Sequence, residues 1–227
     1  MDRTVGPIDR LLREHHLLKH PFYVAWSHGT LPIDTLRDYA GQYYRFESAF
    51  PRYVAAAYAR LARTEDRRVL LENLIDEEGR DPTHPELWLD FARGIGLSRR
   101  ATVGARPFGA TQDLLACYER FTQRSPEEAV SALYAYESLF PEIAAEKSRG
   151  LKANYGIRDP ATHEFFRVHT GADVEHSAAE RRVLSGLLQH SPAARLRALK
   201  ASRASIGAWW SFLDEFPLPH GRARSPS

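Results

Sequence analysis

Nearly every long segment of the chain places its apolar residues at helical spacing, and no stretch alternates as a half-buried strand does. The sequence therefore predicts an all-α protein. The constraint is tightest in the run HEFFRVHTGADVEHSAAERRVLSGLL, where helical periodicity and metal-type side chains coincide. At about 100° per residue, His169, Asp173 and His176 fall within roughly 60° of one another on one helical face. Imidazole nitrogen and carboxylate oxygen suit iron or manganese, and the absence of thiolates argues against a structural zinc site. The same spacing also suits a polar helix face whose histidines cap or hydrogen-bond.

Breaker residues divide the chain. A first helix is expected over IDRLLREHHLLKH, with Ile8, Leu11, Leu12 and Leu18 near one face, and HPFYVAWSHG then reads as a short connection. The next helical stretch runs from Leu31 to Ala62, with Asp34 as N-cap and Pro51 predicting a kink or break. Thr64 to Gly79 reads as a helix, RDPTHP as a turn, and Pro85 as the first turn of the following helix. Residues 98–109 read as an irregular loop. Helices follow over TQDLLACYERFTQR, from Pro126 through a kink at Pro141, from Asp159-Pro160 to Gln189, and over SPAARLRALKASRASIGAWWSFLDEF, which carries Trp209, Trp210 and Phe212. No internal repeat is evident. The reading is one helical domain over residues 1–216 and a disordered tail over 217–227.

A chain of 227 residues with 43% hydrophobic and 26% charged content can bury a sizeable core. A formal charge of +2, without a dense basic stripe, argues against a nucleic-acid partner. Cys117 has no second cysteine to pair with, and its neighbours in QDLLACYERF place it in a buried helix rather than as a nucleophile. The N-terminus has no apolar signal core and no apolar run approaches membrane-spanning length, so no membrane association and a cytoplasmic location are expected.

Two further groups extend the candidate site. Glu77 closes one helix and His84 opens the next, so they converge only if the intervening turn folds back or continues along the axis. Otherwise Asp76, Glu77 and Glu78 form a solvated helix end and His84 a cap. Glu137, flanked by Leu133, Tyr134, Tyr136, Leu139 and Phe140, is a carboxylate on an apolar face, which must be paired, protonated or metal-bound. Together Glu77, His84, Glu137, His169, Asp173 and His176 match the donor set of a dinuclear centre. Three carboxylates against two divalent metals would leave about one positive charge, which a hydroxide balances. Only Asp173-x-x-His176 has the form of the paired E-x-x-H motif, so the ferritin-like pattern is not met.

Taken in order, HPFYVAWSHGTL, YAGQYY, ENLIDEEG…HPELW, YAYES and H-x3-D-x2-H resemble the haem-oxygenase-like dimetal oxidases. Within that group they resemble the para-aminobenzoate-forming family that includes the chlamydial death-domain-associating protein, over roughly residues 8–216. The resemblance implies a seven-helix bundle, usually a homodimer, with the six residues above as ligands of two iron ions or an iron–manganese pair. It also implies O2 and an external electron donor as co-substrates, and para-aminobenzoate for folate as product. The ring would come from the protein's own Tyr23, the amino nitrogen from Lys147, and Tyr39 and Tyr136 would assist. Read from the residues alone, Tyr23 is equally a core aromatic and Tyr39 an amphipathic-helix residue. Lys147 lies about 80° around and roughly 15 Å along an unbent helix from Glu137. It reaches the metals only by a long reach or a kink at Pro141, and is otherwise an exposed lysine.

Other readings stay open. A dimetal oxidase of this scaffold acting on a small amino acid or fatty acid needs the six ligands but neither Tyr23 nor Lys147. A metal-free relative, such as a quinone-cofactor oxidase or a thiaminase, leaves those ligands unexplained. A non-catalytic interaction protein needs a partner surface that no motif marks. A haem protein would use His15, His16 or His20 as axial ligand. His28, His163, His190 and His220 read as surface or loop residues.

Overall fold

The computed structural model describes residues 4–218, and every regular element among them is helical. The order is α1 (Gly6–Glu14), a 3-10 turn (Leu17–Lys19), α2 (Pro21–Ser27), α3 (Ile33–Glu47), α4 (Phe50–Tyr58), α5 (Thr64–Glu78) and α6 (His84–Gly94). Then follow α7 (Arg99–Gly104), α8 (Gly109–Thr122), α9 (Pro126–Glu137), α10 (Phe140–Asn154), α11 (Pro160–Leu188) and α12 (Pro192–Asp214). Twelve α-helical segments among the described residues replace the seven expected. The supposed connection HPFYVAWSHG is α2, with Pro21 in its first turn and the His20 ring capping it. The supposed loop holds α7, capped by Ser98. Asp34 does not cap α3; Pro32 precedes the helix, and Asp34 pairs with Arg37 inside the first turn. Of the expected tail, residues 219–227 lie outside the described residues.

Prolines split the two longest expected helices. α3 gives way to α4 at Glu47-Ser48-Ala49-Phe50-Pro51, and α9 to α10 at Glu137-Ser138-Leu139-Phe140-Pro141. A proline ring clashes with the carbonyl four residues earlier, so the last helical residue in each case is the glutamate at that position. The backbones match: Ser48 (φ −69, ψ −16) and Ala49 (φ −95, ψ −19) against Ser138 (φ −67, ψ −20) and Leu139 (φ −99, ψ −22). The chain thus does contain a short internal repeat, the pattern Glu-Ser-x-Phe-Pro.

α9 is the innermost helix: every residue from Glu127 to Glu137 is buried, and a Ser125–Glu128 capping box starts it. α11, 29 residues long and N-capped by Asp159, packs against α5, α6, α9 and α10. These contacts bring the polar face of α11 against the ends of α5 and α9 and the start of α6. Around them lies one large aromatic core that includes Trp26, Trp88, Trp209, Tyr39 and Tyr43. Trp209 and Phe212 are buried, while Trp210 is only partly covered. No helix among the described residues is long and apolar enough to cross a membrane.

Candidate metal centre

All six sequence-predicted ligands converge and are buried, none more than 8% exposed. Glu77 stands in the last turn of α5, His84 begins α6, Glu137 ends α9, and His169, Asp173 and His176 lie along α11. The turn between α5 and α6 folds back, so Glu77 Oε2 and His84 Nδ1 come within 3.0 Å. The alternative of a solvated helix end and a capping histidine is thereby corrected for these two residues. Asp76, which does remain partly exposed, instead accepts a hydrogen bond of 2.9 Å from His176 Nε2.

The donor atoms point at one another without bonding. Glu77 Oε2, His84 Nδ1, Glu137 Oε2, Asp173 Oδ2 and His176 Nδ1 are buried, and among the described residues no hydrogen bond reaches them. Unsatisfied buried polar atoms are costly, and five in one cluster form a donor set that fits a cation. His176 Nδ1 approaches Glu137 Oε1 at 3.7 Å and Asp173 Oδ1 at 3.9 Å. The far side of each α11 imidazole is held: His176 Nε2 by Asp76, and His169 Nδ1 by the Phe165 carbonyl at 2.7 Å. Such outer hydrogen bonds fix the tautomer, leaving His176 Nδ1 and His169 Nε2 as lone-pair donors. Asn73 Nδ2 donates to Glu137 Oε1 at 2.8 Å and orients that carboxylate in the same way.

Four residues of this neighbourhood escaped the sequence reading. Glu47, at the end of α3, brings a ligating oxygen within 4.8 Å of donor nitrogens on His84 and His169. Glu180, one turn beyond His176, is fully buried beside Glu137, with neither oxygen hydrogen-bonded among the described residues. Asn73 and Tyr43 complete the set. An isolated acid or amide on a helix carries no spacing motif; the only available signal was the Glu-Ser-x-Phe-Pro pattern that Glu47 shares with Glu137. Crowded buried carboxylates resist ionisation. Burial, then the charges of Glu137, Glu77 and Glu47, raise Asp173 well above the usual carboxylate range. Burial and Glu77 do the same for Glu47, and burial and Glu137 for Glu180. Burial also pushes Glu137 up, but the close approach of His176 and Glu180 and the hydrogen bond from Asn73 outweigh it and leave that carboxyl low.

A second cluster adjoins the first. Lys147 is fully buried, and its Nζ donates to Tyr39 Oη at 2.6 Å, while Tyr39 Oη lies 2.9 Å from Tyr23 Oη. The exposed-lysine alternative is overturned: the α9–α10 break redirects α10 so that Lys147 enters the aromatic core. Its nitrogen stands 5.3, 5.0 and 4.6 Å from the ring centres of Tyr23, Tyr39 and Tyr43. Burial lowers the Lys147 amine well below the usual lysine range, although Glu47 opposes this. Tyr136 hydrogen-bonds Tyr43 rather than Tyr23 or Tyr39. Tyr43 links the clusters through Phe165, with ring centres 6.3 Å from Tyr43 to Phe165 and 4.0 Å from Phe165 to His169.

A cavity of about 210 Å³ between α5 and α11, lined by Asn73, Asp76, His176 and Glu180, opens beside the centre. Three of the remaining histidines, His16, His20 and His163, serve the fold. His16 and His20 accept from the backbone of Leu18 and Phe22, and His20 also pairs with Asp214 at 3.0 Å. Of the three histidines considered as haem ligands, His20 thus has both ring nitrogens engaged and His16 has Nδ1 engaged, while His15 is exposed. His163 is buried, not exposed, between Ser148 and the Ile157 carbonyl; His220 lies outside the described residues.

Comparison with known proteins gives a consistent picture. The family model described as iron-containing redox enzyme matches residues 37–210. The chain is 37% identical to a 4-aminobenzoate synthase of Chlamydia muridarum, covering 93% of this chain and 89% of that protein. It is 36% identical to a 4-aminobenzoate synthase of Nitrosomonas europaea, covering 91% and 88%. A domain of Shewanella denitrificans with a haem-oxygenase-like fold superposes at a TM-score of 0.72 and 16% identity, covering 92% of this chain and 88% of that one.

Proposed function

The chain belongs to the iron-containing redox enzyme family, on a haem-oxygenase-like fold, and from that premise we propose that it is a dimetal oxidase forming para-aminobenzoate from its own Tyr23. Glu77, His84, Glu137, His169, Asp173 and His176 would hold two iron ions or an iron–manganese pair, which when bound activate O2 with electrons from an external donor. The 4-aminobenzoate synthases that match most of this chain support the product.

The observation that carries the self-sacrificing reading is the buried chain Lys147–Tyr39–Tyr23, beside the carboxylate–histidine cluster. Burial lowers the basicity of the Lys147 amine and so favours its neutral form, the form required to supply an amino group. Tyr39 holds that nitrogen and the Tyr23 hydroxyl on one oxygen, so donor and acceptor are fixed before reaction. Rings of Tyr43 and Phe165 connect this pair to His169 without intervening water-exposed surface, since all three are buried. Tyr136, hydrogen-bonded to Tyr43, steadies that path.

The test is intact-mass and peptide analysis after anaerobic loading with iron, or with iron and manganese, followed by reductant and O2. Loss of mass localised to Tyr23, with para-aminobenzoate released once per chain, is expected, and Tyr23→Phe and Lys147→Arg should abolish it. Activity surviving in both variants would replace this reading with an oxidase acting on an external small molecule. A parent protein that binds no metal would sink both.

A further inference from the structure

Beyond the six ligands, Glu47 and Glu180 are buried carboxylates without a role, and of the two Glu47 is the one whose oxygen lies within 4.8 Å of donor nitrogens on predicted ligands. Glu47 is 2% exposed, and among the described residues its Oε1 meets no hydrogen-bond partner. It occupies, in α3, the place that Glu137 occupies in α9: last residue of a helix, first of a Glu-Ser-x-Phe-Pro break, followed by matching serine and N-cap dihedrals. The break hydrogen bonds match too, with Ser48 N to Tyr44 O at 2.9 Å and Ser138 N to Tyr134 O at 3.1 Å. The two glutamates also face equivalent partners. Donor atoms of Glu137, Asp173 and His176 lie within 4.8 Å of one another, and those of Glu47, His84 and His169 satisfy the same limit. Glu77 bears on both groups, since its oxygen is 3.0 Å from His84 and its charge acts on Glu47, Asp173 and His176.

We propose that Glu47 is a seventh protein ligand, supplying to the metal held by His84 and His169 the carboxylate that Glu137 supplies to the metal held by Asp173 and His176. The inference rests on the dimetal reading above. It changes the charge of the site: four carboxylates match two divalent cations, so the reduced centre is neutral without hydroxide in an interior that penalises net charge. It also ties the centre to the tyrosines. Tyr39, Tyr43 and Glu47 recur every four residues along α3, so one helical face carries the Lys147 contact at one end and the metal contact at the other.

The test compares the parent with Glu47→Gln, a near-isosteric change that keeps the helix end and removes the charge. Iron(II) and manganese(II) binding are measured by elemental analysis and chelator competition under anaerobic conditions, with circular dichroism as the fold check. Two equivalents in the parent are expected. In Glu47→Gln one of them should weaken on the order of 100-fold or more, above the 10–100-fold typical of outer residues that only orient a ligand. A folded variant that binds both equivalents with parental affinity overturns the proposal. Should the variant fail to fold, a crystal structure of the metal-loaded parent decides. A Glu47 oxygen about 2.0–2.2 Å from the metal on His84 and His169 supports it, and a carboxylate turned to Lys147 instead defeats it. A parent that binds no metal would mark the failure of the dimetal reading itself.

Discussion

His176 shows how one side chain reports on the whole centre. Burial pulls its imidazole down, yet the nearby Glu137 carboxylate, with help from the hydrogen bond to Asp76, wins and holds it up at about 9. In the metal-free protein this pairing stabilises the fold fully below the unfolded histidine value of about 6.5, and the contribution is lost as pH rises through about 9. A metal must displace that proton. Apparent affinity for iron(II) or manganese(II) should therefore strengthen by up to about tenfold per pH unit across this window. Chelator competition at several pH values measures it, and an affinity that is flat with pH would remove His176 from the ligand set. Lys147 obeys the opposite sign: burial lowers its basicity, so folding disfavours its charged form and the penalty grows as pH falls through the window below the unfolded lysine value.

Between elements, the decisive contact is α6 on α11, because it sets His84 against His169, whose rings lie 4.3 Å apart. Gly94, the last residue of α6, makes that approach possible. A Cβ added there would fall inside the contact radius of the Thr162 side chain at the start of α11. The Thr162 side chain is held in place by its own hydrogen bond to Asp159 at 3.0 Å and yields only by breaking it. Gly94→Ala should destabilise the protein by about 1–3 kcal/mol and weaken metal binding by spreading the two helices. Urea unfolding tests the first effect and metal titration the second; a variant of parental stability would show that the helices shift without cost.

Across the molecule, the fold concentrates Glu47, Glu77, Glu137, Asp173 and Glu180 in one buried region, all no more than 2% exposed. Such an arrangement opposes folding until cations fill it, so metal binding and stability are coupled. At free metal about 100 times the dissociation constant the gain is about 2.7 kcal/mol, or roughly 5–10 °C in Tm for a chain of this size. Anaerobic calorimetry with and without iron(II) measures the shift, and a chelator should reverse it. An unchanged Tm at saturating metal would contradict the buried centre.

The helical class, the shared face of His169, Asp173 and His176 on α11 and the helix-end positions of Glu77, His84 and Glu137 were legible in the chain, because periodicity, capping and short motifs are local properties. Proline chemistry was legible only by halves: Pro51 and Pro141 announced breaks, but that each break strands a glutamate at a helix end became apparent when both were seen in three dimensions. Tertiary structure alone decided the rest. Whether Glu77 is solvated or buried, whether Lys147 is a surface cation or a core amine, and whether Glu47 faces the histidines all depend on which helix packs over them. Burial is a property of neighbours distant in sequence. The sequence by itself determined which side chains can bind a metal; packing of α3, α5, α6 and α9 against α11 determined which of them meet.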